Sequence, residues 1–197
     1  MEEAKYTREE CLLIPFHKPD AKEKIFFFLS GTIMSIPLTL FAETISAYFL
    51  NARPAFFYTE LVLATIIAPL IEEFFKAYPL FYRHGETEKS ILALGFYTGL
   101  GFGLIEFLLY TFVYDAPFVV RFFLIFFHAA NTSILAYGIA KKKSVRFFFI
   151  AAMLHFLYNF SAYLGNSWFL VGLICVPLSV LTALFLRLKT TEKIIEF

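Results

Sequence analysis

Six apolar stretches, each about 20 residues or longer, constrain this chain more than any other feature. They run Ile25–Leu50, Thr59–Tyr82, Ile91–Val113, Phe118–Ala140, Val145–Tyr163 and Trp168–Leu188. As helices rising about 1.5 Å per residue, such stretches cross the hydrocarbon core of a bilayer. A membrane β-barrel would instead alternate apolar and polar residues, and these stretches do not. The expected fold class is all-α, a polytopic membrane helix bundle of about six transmembrane helices. With 59% of its 197 residues hydrophobic and only 17% charged, a soluble domain of this size could not bury its apolar surface. Disorder is excluded by the same composition, which is 20% aromatic. A formal net charge of +1 gives no case for nucleic-acid binding.

The connections between stretches are too short to hold a soluble domain, so the activity belongs within the membrane. Residues 1–24 read as an N-terminal arm, 25–188 as the transmembrane domain and 189–197 as a tail. The arm lacks the pattern of a cleavable signal peptide. Of the 17 lysines and arginines, only Arg53 and Arg121 fall on the side opposite the N-terminus, and Lys76 lies within a stretch. The excess of basic residues on one side places both termini in the cytoplasm. Cys11 and Cys175 lie at different depths and are not expected to pair.

Ionisable groups inside a membrane helix cost about 2.5–3.5 kcal/mol each on insertion scales, so their presence points to function. The second stretch carries Glu72, Glu73 and Lys76, and the third carries Glu106. The fourth holds His128, Asn131 and Thr132, and the fifth His155 and Asn159. Counted at about 1.5 Å per residue, Glu72 lies about 20 Å from the external end of its helix, His128 about 15 Å and Glu106 about 10 Å. His155 falls near the middle of its own, so a common layer is expected. Residues three and four apart share a helix face, which joins both glutamates of the second stretch to Lys76, and His155 to Asn159. Gly95, Gly99 and Gly103 form a stripe ending three residues before Glu106. Such a stripe admits a neighbouring backbone and would turn Glu106 inward. Pro69 is expected to free the Thr65 carbonyl and to bend the second helix.

Charge balance narrows the chemistry. Three carboxylates against Lys76 leave two excess negative charges in a medium that tolerates none, so protons or a divalent cation are needed. Two imidazoles with one or two carboxylates form a zinc set, and a buried carboxylate can also act as a general base without metal. Either route leads to hydrolysis. Glu43 and Glu60 are expected nearer the external ends, within reach of Arg53 and Arg121.

The motifs then form a known order: Glu72-Glu73-Phe74-Phe75-Lys76 as EExxK, Phe102 to Glu106 as FxxxE, His128 with Thr132 as HxxxT, and His155 with Asn159 as HxxxN. This succession resembles the PrsW family of intramembrane proteases, related to the CAAX prenyl endopeptidases and bacteriocin-processing enzymes. Those relatives typically carry an arginine four residues after the second glutamate and a histidine in the second motif. Lys76 and Glu106 stand in their places here and point to the PrsW branch. The resemblance implies hydrolysis of a peptide bond in a transmembrane or membrane-anchored protein; PrsW-like proteins cleave transmembrane anti-sigma factors in some bacteria. It further implies that Glu72 and Glu106 activate water and that His155 and Asn159 stabilise the oxyanion. Glu73 and Lys76 would hold Glu72 in place, with His128 and Thr132 in support. His128 would be either a metal ligand or a second oxyanion donor. If a metal such as Zn2+ is the cofactor, Glu72, Glu106, His128 and His155 are its ligand candidates. The competing classes are a proton- or cation-coupled transporter and a non-catalytic binding or sensing protein with the same polar pocket. The expected partners are the bilayer and a membrane protein substrate; oligomeric state is not legible in the sequence.

Overall fold

The computed structural model describes residues 18–51, 59–82 and 87–192. Eight α-helices form, and no strand forms among the described residues. Helix α1 (Ala21–Leu29) continues through a π-type segment, Ser30–Ser35, into α2 (Ile36–Asn51). Helix α3 (Thr59–Val62) passes through a second π-type segment, Leu63–Ile67, into α4 (Ala68–Ala77), which ends in a 3-10 turn, Tyr78–Tyr82. The remaining helices are α5 (Glu88–Phe112), α6 (Phe118–Ala140), α7 (Ser144–Leu164) and α8 (Phe169–Leu188).

Five of these runs are long and apolar enough to cross a membrane: Ala21–Leu50, Glu88–Phe112, Phe118–Ala140, Ser144–Leu164 and Phe169–Leu188. The sixth expected span, from Thr59 to Tyr82, is helical but carries Glu60, Glu72, Glu73 and Lys76, too many charges for a simple lipid-facing rod. Glu72, Glu73 and Lys76 are instead turned inward, the last two fully buried, while Glu60 stays exposed. The chain is a multi-pass membrane protein. Its phenylalanines divide accordingly: Phe26, Phe49 and Phe185 stand on the outer surface, while Phe27, Phe102 and Phe127 fill the interior.

Both π-type segments precede a proline, Pro37 after the first and Pro69 after the second. Proline has no N–H and its ring crowds the preceding turn, and one extra residue in that turn relieves the clash. In the second segment the Ala68 N–H donates to the Leu63 carbonyl, five residues back. The next acceptor in that register is the Ala64 carbonyl, and its donor would be Pro69, which has none. The expected orphan at Thr65 is therefore displaced by one residue.

The glycine stripe joins α5 to α6. A methyl group on Gly99 would collide with the His128 carbonyl oxygen and lie 2.7 Å from both Ala129 Cα and Thr132 Oγ1. One on Gly95 would meet Ala136 Cβ at 2.6 Å, and one on Gly103 would meet Ile125 Cα at 2.9 Å. The stripe is thus a packing face. It brings Glu106 onto the α6 face that carries His128. Beneath the polar layer lies an apolar core that includes Phe27, Leu80, Leu94 and Leu135; beside it Leu124, Phe127, Tyr158 and Cys175 form a second. Cys175 is a buried free thiol, and Cys11 lies outside the described residues. At the lysine-rich end, Glu88 accepts from Lys141 at 2.5 Å and from the Thr191 amide at 2.9 Å, tying the start of α5 to the ends of α6 and α8.

Candidate active site

The ionisable residues of α4, α5, α6 and α7 meet in one network. Helix α4 supplies Glu72, Glu73 and Lys76 from a single face. Lys76 Nζ lies 2.7 Å from Glu73 Oε1 and 3.9 Å from Glu72 Oε2. It also lies 2.9 Å from His128 Nδ1 and above the Phe102 ring, 4.7 Å from its centre. With lysine donating to Nδ1, the proton of His128 sits on Nε2, where it faces Glu106 Oε2. From α7, His155 Nδ1 lies 2.9 Å from Glu73 Oε1, which turns its Nε2 toward Glu72 Oε2, 3.8 Å away. The two imidazole rings lie 5.1 Å apart, centre to centre, and nearly perpendicular. Phe127 packs edge-on against His155 and fixes its tilt.

Arg121 is the member that motif reasoning did not assign to the site. It was expected near Glu43 and Glu60, but its guanidinium lies 3.6 Å from Glu106 Oε1 and 3.8 Å above the Tyr110 ring. The reason is helical geometry. Arg121 and His128 are two turns apart on one face of α6, opposite Glu106 and Tyr110, one turn apart on α5. Glu43 and Glu60 form no ion pair among the described residues, and Arg53 lies outside them. With Arg121 included, the excess of carboxylates over cations falls from two to one.

Two motif residues stand slightly apart. Thr132 donates to the His128 carbonyl in its own helix, at 3.0 Å, and packs against Gly99. Asn159 donates through Nδ2 to the Ala64 carbonyl at 2.9 Å, supplying the hydrogen bond that Pro69 cannot. Asn131 is fully buried with neither amide atom hydrogen-bonded.

A cavity of about 730 Å³ reaches this network. Glu72, Glu106, Arg121 and Asn159 line it, as do Glu43 and Glu60. It also touches Pro117, Tyr163 and Phe169, which lie at the helix ends opposite the lysine-rich end.

The donor set suits a metal ion. Glu72, His128 and His155 each offer one atom, and these three lie within 4.8 Å of one another. Glu72 Oε2 is buried without a hydrogen bond. Its 3.8 Å separation from His155 Nε2 is too long for a hydrogen bond, yet two bonds of about 2.0–2.1 Å to zinc can span it. Glu73, bonded to His155 Nδ1, is placed as a carboxylate that could orient a ligating imidazole. Glu106 stands outside this group of three, held by His128 and Arg121.

No curated protein and no solved structure matches the chain. A family model described as PrsW family intramembrane metalloprotease matches residues 22–186, and so takes in every residue of the network. The chain belongs to the PrsW family of intramembrane metalloproteases.

Proposed function

We propose that this protein hydrolyses a peptide bond of a transmembrane or membrane-anchored protein at the network of α4 to α7, with Glu72, His128 and His155 holding a divalent metal. The observation that carries the reading is the convergence of those three ligand atoms within 4.8 Å, with Glu73 bonded to the far nitrogen of His155. A metal held there supplies Lewis acidity toward a carbonyl and makes a neighbouring water a stronger acid.

The chain's own residues do the rest. Glu106 takes the proton of the attacking water and returns it to the departing amine, as the carbon–oxygen bond forms and the carbon–nitrogen bond breaks. Arg121 and the Nε2 proton of His128 hold its carboxylate in place. Asn159 gives one N–H to Ala64 and has a second to offer the carbonyl oxygen as charge develops. His155, tied to Glu73, serves as a ligand in this reading rather than as an oxyanion donor. Lys76 balances Glu73. Ligation through His128 Nδ1 would replace its present contact with Lys76 and keep the Nε2 proton on Glu106.

We place both termini in the cytoplasm. The described lysines gather where α1, α5 and α7 begin and α6 and α8 end, which supports this orientation. The cavity then opens toward the external half of the membrane, and the substrate enters from there. The test is cleavage of a membrane-anchored reporter by purified protein in lipid. Glu72→Gln and His155→Ala abolish cleavage and lose bound metal while retaining the wild-type helical content. A chelator stops the wild-type reaction and added zinc restores it. Wild-type turnover by both variants refutes the assignment; chelator-resistant cleavage refutes the metal.

A further inference from the structure

A second cavity, of about 340 Å³, lies between α1, α5, α6 and α8 and shares no residue with the network. Its mouth is basic. Lys24 of α1, Lys89 of α5 and Arg187 of α8 meet there, because the first helix and α5 begin at this end of the bundle and α8 ends at it. Lys89 is balanced by Glu192 at 3.1 Å. Among the described residues Lys24 and Arg187 have no acidic partner, so these two positive charges face the mouth unpaired there.

Inside, the chemistry changes within one helical turn. Leu92 and Phe96 line one wall from α5, and Val180 and Leu184 line the other from α8, with Arg187 three residues beyond Leu184 on the same face. The space between them stays open because Ala93, Ala130 and Ala183 are small. The groove therefore asks for a ligand with an anionic end and an apolar tail, lying along the helices with its charge at the end of the bundle. A bilayer supplies that shape in its anionic phospholipids. A zwitterionic headgroup fits poorly, since it brings its own cation against Lys24 and Arg187. Basic pockets between transmembrane helices hold acidic headgroups by this chemistry.

We propose that this groove binds one anionic phospholipid of the surrounding bilayer, with its phosphate between Lys24 and Arg187 and an acyl chain between α5 and α8. The site is independent of the proteolytic reading and stands whether or not that reading holds.

The experiment titrates the purified full chain in detergent with phosphatidylglycerol, with phosphatidylcholine of the same chains and with glycerol phosphate, following bound lipid by native mass spectrometry. Phosphatidylglycerol is expected to bind one per chain and the other two not. Replacing both cations, as Lys24→Gln with Arg187→Gln, is expected to weaken binding about tenfold or more. Ala183→Phe fills the groove, leaves every charge in place and is expected to abolish retention. Lys142→Gln with Lys143→Gln, on the same end but outside the groove, is expected to change nothing. Equal binding of phosphatidylcholine, tight binding of glycerol phosphate alone, or equal loss in the Lys142 and Lys143 control would overturn the proposal. So would full retention by Ala183→Phe. Thermal unfolding of each variant separates loss of the ligand from loss of the fold.

Discussion

Glu73 Oε1 lies 2.9 Å from His155 Nδ1 and 2.7 Å from Lys76 Nζ, so one buried oxygen orients a histidine and neutralises a lysine at once. The two adjacent glutamates of the EExxK motif thereby separate in role. Glu73 is fully buried and gives Oε1 to His155 and Lys76, while Glu72 lines the cavity; each keeps its Oε2 buried without a hydrogen bond. Replacing Glu73 by Gln removes the anionic partner of His155. Metal affinity is expected to fall about 10- to 100-fold, as for other partners that orient a ligand. Competition with a chromophoric chelator reads this directly, apart from cleavage.

Lys76→Met leaves Glu73 buried with only the His155 imidazole beside it. Removing one member of a buried ion pair typically costs about 3–5 kcal/mol. The single variant is expected to unfold at markedly lower temperature in detergent. The double variant with Glu73→Gln should recover most of the loss, because the charge excess of the network returns to its wild-type value of one carboxylate. Equal stability of the single variant and wild type would show that the pair is not buried as described.

Arg121→Gln tests a residue that lies outside the four motifs. It removes the cation beside Glu106 without touching the Glu72, His128 and His155 group. Cleavage is expected to slow with kcat reduced and bound metal unchanged. Lysine at this position should restore only part of the rate, since it cannot lie flat on Tyr110 as the guanidinium does. Metal content separates this outcome from a general loss of the site.

Asn159→Ala is expected to act twice. Loss of an oxyanion donor lowers kcat by about 10²–10³-fold. Loss of the bond to the Ala64 carbonyl destabilises the bend in the Thr59–Tyr82 run by about 0.5–1.5 kcal/mol. A variant with normal kcat and lowered stability would assign Asn159 to the helix bend alone.

Much of this is legible in the sequence. Long apolar runs dictate membrane helices, and charged residues inside them have nowhere to go except toward one another. Alternating helix direction then placed Glu72, Glu106, His128 and His155 at one depth. What stayed hidden depended on side-chain reach and backbone register. Arg121 looked like an external surface charge because its depth on α6 suggested Glu43 and Glu60 as partners. The seven-residue spacing to His128 was the available signal that it faces the same neighbour. The service of Asn159 to Ala64 was hidden because a π-type turn moves the free carbonyl by one residue, and no local pattern in Leu63–Ile67 announces such a turn. Of the four ligand candidates, Glu72, His128 and His155 converge within 4.8 Å, whereas Glu106 lies with His128 and Arg121.

The Gly95, Gly99 and Gly103 contacts leave no side-chain thickness between α5 and α6, so these two helices move as a single strut. A substrate segment cannot pry them apart. The yielding wall of the chamber is the opposite one, where α2 and the bent α3–α4 run are each interrupted beside a proline. On the proposed reading, a polypeptide would enter by hinging on that flank, with Glu106, Arg121 and His128 held on the α5–α6 pair and Glu72 carried by α4.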